Sequence, residues 1–370
     1  MQSPYRDDFF QTTTSIKESC RKEKKSGNKN GNPIKLPGKI LAIAADPFKA
    51  SSVFVAESSG VLRAVALEGG ETTAIYKGPS APLTSLCFST DGTTVFAGCW
   101  DKTIWSWHVK TRNPGRNYVG HVDFVKAVLC SEFNDMTLLV SGGADAKIII
   151  WDLPNGAQLH VLQCHSRGIQ SLAIDPITHD SRSVCIFSAG SDRAILGFAI
   201  RPDSKDLTVF DPILEHQTSI YKLFFDDDGD LWTASADNTA KCLTKSSAWT
   251  ASLTLEHPDF VKDVVVHEAG GWVITACRDE EVRVWDRATG TLHHTYSGHF
   301  EEVTGLLLLG LKIVSISIDG TIRQWSIHPQ DLLRAKMDIP NDALTRTAER
   351  SYDLLTEEEE RELADLLDQD

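Results

Sequence analysis

An Asp followed six residues later by a bulky apolar residue recurs through this chain at a spacing close to forty. Asp101, Asp145, Asp192, Asp237, Asp279 and Asp319 lie at steps of 44, 47, 45, 42 and 40 residues. Six residues beyond them stand Trp107, Trp151, Phe198, Leu243, Trp285 and Trp325. A degenerate seventh copy lies upstream, with Ser59 in the Asp place and Val65 in the Trp place. A fixed period of this length means one supersecondary unit, unable to bury its apolar face alone, stacked on copies of itself. Stacking also resolves a question of size. A chain of 370 residues exceeds the roughly 250–300 at which a single core stops growing, whereas each repeat packs mainly on its neighbours.

A second frame gives the same seven units. Gly-His or a relic of it precedes each one, at Gly38-Lys39, Gly78-Pro79, Gly120-His121, Cys164-His165, Glu215-His216, Glu256-His257 and Gly298-His299. Literal Trp-Asp survives at Trp151-Asp152 and Trp285-Asp286. Over residues 34–329 the chain resembles the WD40 repeat family, which implies an all-β fold, a single seven-bladed propeller of four-stranded blades. In the sixth unit the alternation of apolar residues predicts strands over 260–266, 272–276, 281–286 and 292–296. The last unit has three strands of its own, so the Ile34-Lys35-Leu36 segment is expected to complete it as an N-terminal outer strand. Such closure removes open sheet edges. Blade four carries extra polar stretches at 175–183 and 201–207, either functional or merely tolerated.

The resemblance implies a buried network in each blade, in which the turn Asp meets the His, and the His reaches a Ser or Thr shared with the Trp. It places such networks at His121, Asp145, Ser141 and Trp151; at His257, Asp279, Thr275 and Trp285; and at His299, Asp319, Ser315 and Trp325. Ser, His and Asp together imitate a catalytic triad, but several copies of one active site in a chain are implausible, and networks of this kind rigidify a fold. The sequence has no phosphate loop, no His-Glu-x-x-His and no Gly-x-Ser-x-Gly. The chain is therefore expected to be no enzyme and to hold no cofactor and no metal.

Eight cysteines, none in a Cys-x-x-Cys pair, read as reduced core residues of a reducing compartment, cytoplasm or nucleus. No apolar run approaches the roughly 18 residues of a spanning helix, and the first residues are polar, so a soluble intracellular protein is expected. Of the net charge of -14, more than half sits in the last twenty residues, where nine acidic side chains face Arg361 alone. No basic face is promised for duplex DNA.

Residues 1–33 are polar and are expected to form a disordered lead. Arg21, Lys22, Lys24, Lys25 and Lys29 make a basic cluster in it, a solvated run or, alternatively, an import signal or RNA contact. Residues 330–370 are expected to be a linker and a short acidic amphipathic helix over 356–367. There Thr356 and Glu359 form a capping box, and Leu363, Leu366 and Leu367 make a stripe for a partner's groove or for the propeller itself.

Family members bind partners most often on the face bearing the turns between second and third strands. The residue before each turn Asp belongs to that face, and Trp100 and Arg278 are the hot-spot types among them. Phe124 and Phe260, in the matching segments Val122-Asp123-Phe124-Val125-Lys126 and Pro258-Asp259-Phe260-Val261-Lys262, either line the channel mouth or pack between blades. Glu301 and Glu302 occupy the matching place in blade seven. The expected function is a monomeric propeller serving as a protein-interaction scaffold inside a hetero-complex. The alternatives are an adaptor in ribosome biogenesis or RNA processing, with RNA contact through the basic cluster, and a cullin-4 ligase substrate receptor. The receptor box ends Trp-Asp-x-Arg/Lys; blade six has Ala288 in the basic place, with Arg287 displaced by one.

Overall fold

Each repeat becomes one four-stranded antiparallel sheet in the computed structural model, which describes residues 13–133, 136–177, 183–200 and 207–337. Blades one to six span residues 40–76, 83–119, 125–162, 169–209, 220–256 and 261–297; blade seven spans 303–326. In blade six the strands are Val261–His267, Trp272–Cys277, Glu281–Asp286 and Leu292–Ser297, each within a residue of its sequence expectation.

Blade seven takes its fourth strand from the start of the ring. Ile34–Lys35 pairs antiparallel with Thr321–Ser326, Ile34 opposite Ile322 and Lys35 opposite Thr321. The Leu36 amide then donates to the Gly320 carbonyl (2.8 Å) and that of Gln324 to Gly31 (2.7 Å). Ile34 and Leu36 are buried with Val314, Ile316 and Ile322 of blade seven and Ile40, Val53 and Val55 of blade one, so the clasp is also a hydrophobic seam.

Apolar clusters lie between neighbouring blades. Phe54, Leu62 and Tyr76 of blade one meet Leu83, Val95 and Trp107 of blade two. Phe96, Ile104 and Tyr118 of blade two meet Leu139, Ile149 and Trp151 of blade three. Both faces of a blade are thus covered, which is why second strands such as Ser52–Glu57 and Val184–Gly190 are buried along their whole length. An outermost strand, Ala157–Leu162, is mostly exposed. The aromatic residue of the frame fills these seams, contributing roughly 1.5–3 kcal/mol when fully buried.

The turn between second and third strands explains the repeated Asp. The residue after it has φ between 62° and 79° in all seven blades: Gly60, Lys102, Ala146, Arg193, Asn238, Glu280 and Gly320. In that conformation the chain reverses so tightly that an N–H two residues past the Asp points back at its carboxylate. Thr103, Thr239 and Thr321 donate in this way to Asp101 (2.9 Å), Asp237 (3.1 Å) and Asp319 (2.7 Å). A short side chain that accepts locally is what such a turn requires.

Every inner strand carries a one-residue bulge at the same register. The bulged residues Leu41, Thr84, Lys126, Gln170, Tyr221, Lys262 and Thr304 all line a cavity of about 200 Å³ at the channel. Phe124 and Phe260 are not among its lining residues.

The N-terminal lead differs from expectation. Thr13–Ser26 forms helix α1, because its cations meet fixed carboxylates described below. Residues 28–32 are also tied down, the Arg323 guanidinium donating to the Asn28 carbonyl (3.1 Å) and to that of Asn30. The described residues 326–337 belong to a unit separate from the propeller. Within it the chain is helical over Pro329–Met337 (α2), where a linker was expected, and the Ser326 hydroxyl donates to Asp331 (2.6 Å). The capping box and Leu363, Leu366 and Leu367 lie outside the described residues, as do 178–182 and 201–206 of the blade-four stretches.

Candidate protein-binding face

The triad-like residues are consumed inside the blades. In blade three His121 Nδ1 lies 2.9 Å from Asp145, its Nε2 2.9 Å from the Ser141 hydroxyl, and Trp151 donates to that hydroxyl at 2.9 Å. Blade seven repeats this with His299, Asp319 (3.0 Å), Ser315 (2.8 Å) and Trp325 (2.8 Å). Blades four and five keep the first links, His165 to Asp192 (3.0 Å) and Ser188 (2.8 Å), and His216 to Asp237 (2.8 Å) and Thr233 (2.7 Å). With Phe198 and Leu243 in the Trp place, these two lack the final donor. Burial depresses the pKa of His121 and His299 against the opposing pull of their Asp partners. A buried hydroxyl of this kind, bonded on both sides, is placed to brace strands and has no path to a substrate.

Blade six departs from the network expected there. His257 reaches Thr275 (2.8 Å), and Trp285 does so too (2.8 Å), but His257 Nδ1 faces the Leu255 carbonyl at 3.1 Å. Asp279 is held instead by the Arg283 guanidinium at 2.5 and 3.1 Å. Burial, reinforced by the Arg283 charge, lowers the His257 pKa to about 4. The same position, four residues after the turn Asp, supplies the replacement donor in blade two, which has no His: Trp105 Nε1 donates to Asp101 at 2.7 Å. In blade one, Arg63 at that position pairs with buried Glu57. A long donor there is not a sufficient sequence signal, because Lys241 and Arg323 hold the same place in blades five and seven, where His216 and His299 keep their Asp.

The turns share one side of the ring with the Gly-His loops. In every blade the residue before the turn Asp, or Ser59 in blade one, donates its amide to a carbonyl of the loop that enters the inner strand, as Trp100 to Pro82 (3.0 Å), Ala144 to Phe124 (2.7 Å) and Arg278 to Phe260 (2.8 Å). On this side Trp100 of blade two stacks on Phe124 of blade three, ring centroids 4.8 Å apart and planes 12° from parallel. Trp100 is 43% exposed and Phe124 36%, beside Val122 at 64%. In blade six Arg278 lies over the Phe260 ring at 4.8 Å and keeps half of its side chain in solvent. Glu302 is bound by Lys262 (2.9 Å).

Glu301 is bound by helix α1, through Lys22 at 2.7 Å. From the same helix Arg21 pairs with Glu280 (2.5 Å), and Lys25 with Glu280 (2.8 Å) and Glu281 (3.2 Å). Burial pulls the Lys25 ammonium down, but the two glutamates outweigh it and hold its pKa above the usual value. Their distance in sequence, more than 250 residues, hid these partners from a linear reading. On the opposite side, Arg287 binds Asp226 (2.9 Å) and Asp228 (2.7 Å) of blade five and Glu268 (2.8 Å) of its own blade. The displaced basic residue of the ligase-box comparison is thus a tie between blades.

Among the described residues no group of three or more His, Cys, Asp or Glu could hold a metal ion, and no helix is long and apolar enough to cross a membrane. The family model of the WD domain, G-beta repeat, matches residues 70–108, 112–152 and 249–286. An uncharacterized WD repeat-containing protein of Schizosaccharomyces pombe is 37% identical over 334 residues, covering 86% of this chain and 88% of that one. The chain belongs to the WD40 repeat family. The tRNA (guanine-N(7)-)-methyltransferase non-catalytic subunit wuho of Drosophila melanogaster is 30% identical over 181 residues, 47% of this chain and 41% of the relative. The chromatin assembly factor 1 subunit FAS2 homolog of rice is 28% identical over 158 residues, 39% of this chain and 31% of the relative.

Proposed function

We propose that this propeller is a non-catalytic scaffold that holds a protein partner on its turn side, within a complex of the cytoplasm or nucleus. The observation that carries the reading is the Trp100–Phe124 stack. Two aromatic rings from neighbouring blades, both more than a third exposed, leave apolar area in water that a partner would cover, and Trp is enriched at the centres of interfaces. The saturated His-Ser-Asp networks support the non-catalytic half of the reading. So does the channel, where the charged groups are Lys126, Lys222, Lys262 and Asp263, and Asp263 already accepts the Val264 and Leu306 amides at 2.8 Å.

The non-catalytic subunit among the relatives favours a second reading, an accessory subunit of an RNA-modifying enzyme, in line with the RNA-processing alternative. Against direct RNA contact through the lead, Arg21, Lys22 and Lys25 are committed to glutamates. Affinity purification from native cells with mass spectrometry, using the intact chain and a Trp100→Ala, Phe124→Ala variant, tests the first reading. It expects at least one stoichiometric partner to be lost from a variant that remains folded. An unchanged partner set contradicts it.

A further inference from the structure

Helix α1 displays what the turn side of blades six and seven can hold. Arg21, Lys22 and Lys25 stand at i, i+1 and i+4, a spacing that puts them on one face of a helix. They meet carboxylates from two blades: Glu280 and Glu281 at the turn of blade six, and Glu301 in the loop entering blade seven. The helix roofs this surface without filling it. A cavity of about 340 Å³ remains, lined by Arg21 and Lys22 above and by Asp259, Arg278, Glu302 and Ile318 among the residues below. Arg278, one of the candidate hot spots, therefore lies partly beneath α1.

Among the described side chains of α1, ion pairs hold the helix there, and Cys20 is exposed. A helix of this length is marginal alone, and ion pairs between partly exposed groups such as Lys22 and Glu301, each about a third exposed, contribute little individually and weaken with salt. The surface beneath is the more permanent element, since Glu280 sits at the tight turn of blade six and Glu301 at the entry to an inner strand.

We propose that α1 is the resident occupant of a docking site for basic helices, and that a partner segment with cations at i, i+1 and i+4 displaces it and uncovers Arg278. The proposal rests on the turn side being the partner face and adds the chemistry of one partner element and its control. α1 and the partner then compete for Glu280, Glu281 and Glu301.

The test uses the full chain with Cys164→Ser, which leaves Cys20 as its exposed thiol, labelled there with a fluorophore and followed by anisotropy. The probe is a synthetic peptide of residues 13–33. It should lower the anisotropy saturably, with an affinity at least tenfold weaker at 0.5 M than at 0.05 M salt, while a peptide with glutamates at the three cationic positions should do nothing. Glu301→Gln, at a partly exposed site, should lower the anisotropy without peptide and weaken peptide binding. A Lys22→Glu, Glu301→Lys exchange should restore the resting value. A label untouched by saturating peptide, or by Glu301→Gln in a folded chain, overturns the proposal and makes α1 a fixed part of the fold. Because no partner is present, that failure is separate from partner retention by the Trp100→Ala, Phe124→Ala variant, which would overturn the partner-face reading itself.

Discussion

Ser141 and Arg283 show how much one side chain decides within a blade. Ser141 is fully buried and serves two neighbours, His121 and Trp151. Ser141→Ala takes this partner from His121 Nε2 and Trp151 Nε1, while His121 Nδ1 keeps Asp145, and an unmatched buried polar group costs about 1–3 kcal/mol. A loss of roughly 2–4 kcal/mol in chemical denaturation is expected, with the fold retained. Arg283 has the opposite effect on its neighbour, since it takes Asp279 and repels a proton from His257. Arg283→Met frees Asp279, so His257 should rise from about 4 toward its ordinary range in an NMR titration. A histidine with a folded pKa of about 4 and an unfolded value near 6.5 binds more protons when unfolded, so stability falls as pH drops through that window, by up to roughly 3 kcal/mol. Asp145, Asp192 and Asp319, whose pKa values stay low because hydrogen bonds and their histidines outweigh burial, add a further loss below the ordinary carboxylate range. Denaturation at pH 7 and pH 4.5 should show a smaller difference for Arg283→Met than for the unaltered chain. An equal difference would assign the acid sensitivity elsewhere.

The clasp and α1 are the two elements on which the ends of the ring depend. Gly320 has φ +75°, and an added Cβ would stand 2.9 Å from the Gly38 carbonyl oxygen and 3.2 Å from that of Leu36. Gly320→Ala should therefore destabilise by more than about 1 kcal/mol and speed amide exchange at Leu36 and Ile322 before other blades respond. Ile34→Ala, which empties the seam between blades seven and one, should cost about 2–5 kcal/mol in the same assay. The clasp was legible in the sequence, because a ring of repeats that ends one strand short must borrow it. The strands of blade six were legible for a related reason: Trp272, Asp279 and Trp285 fix turn and seam together. α1 was not. Its composition is that of a disordered segment, and what folds it is a set of glutamates brought near by closure of the ring. The role of Arg283 was not legible either, because Arg323 holds the same place in blade seven, where His299 still meets Asp319.

Across the whole molecule, the proposed partner face lies apart from the elements that carry stability. Seams between blades bury the apolar residues and networks lock the polar ones, which leaves the loops and turns of one side to vary without disturbing the core. Trp100→Ala with Phe124→Ala should accordingly leave the thermal midpoint within a few degrees of the original while removing the partner. Hydrogen exchange of the chain, alone and in its purified native complex, tests whether the turn side is where a partner is held. Protection should be gained at the turns and Gly-His loops, centred on the segments around Trp100 and Phe124, with the outermost strands unchanged. Protection confined to the outermost strands, or to the opposite side around Arg287, would contradict it.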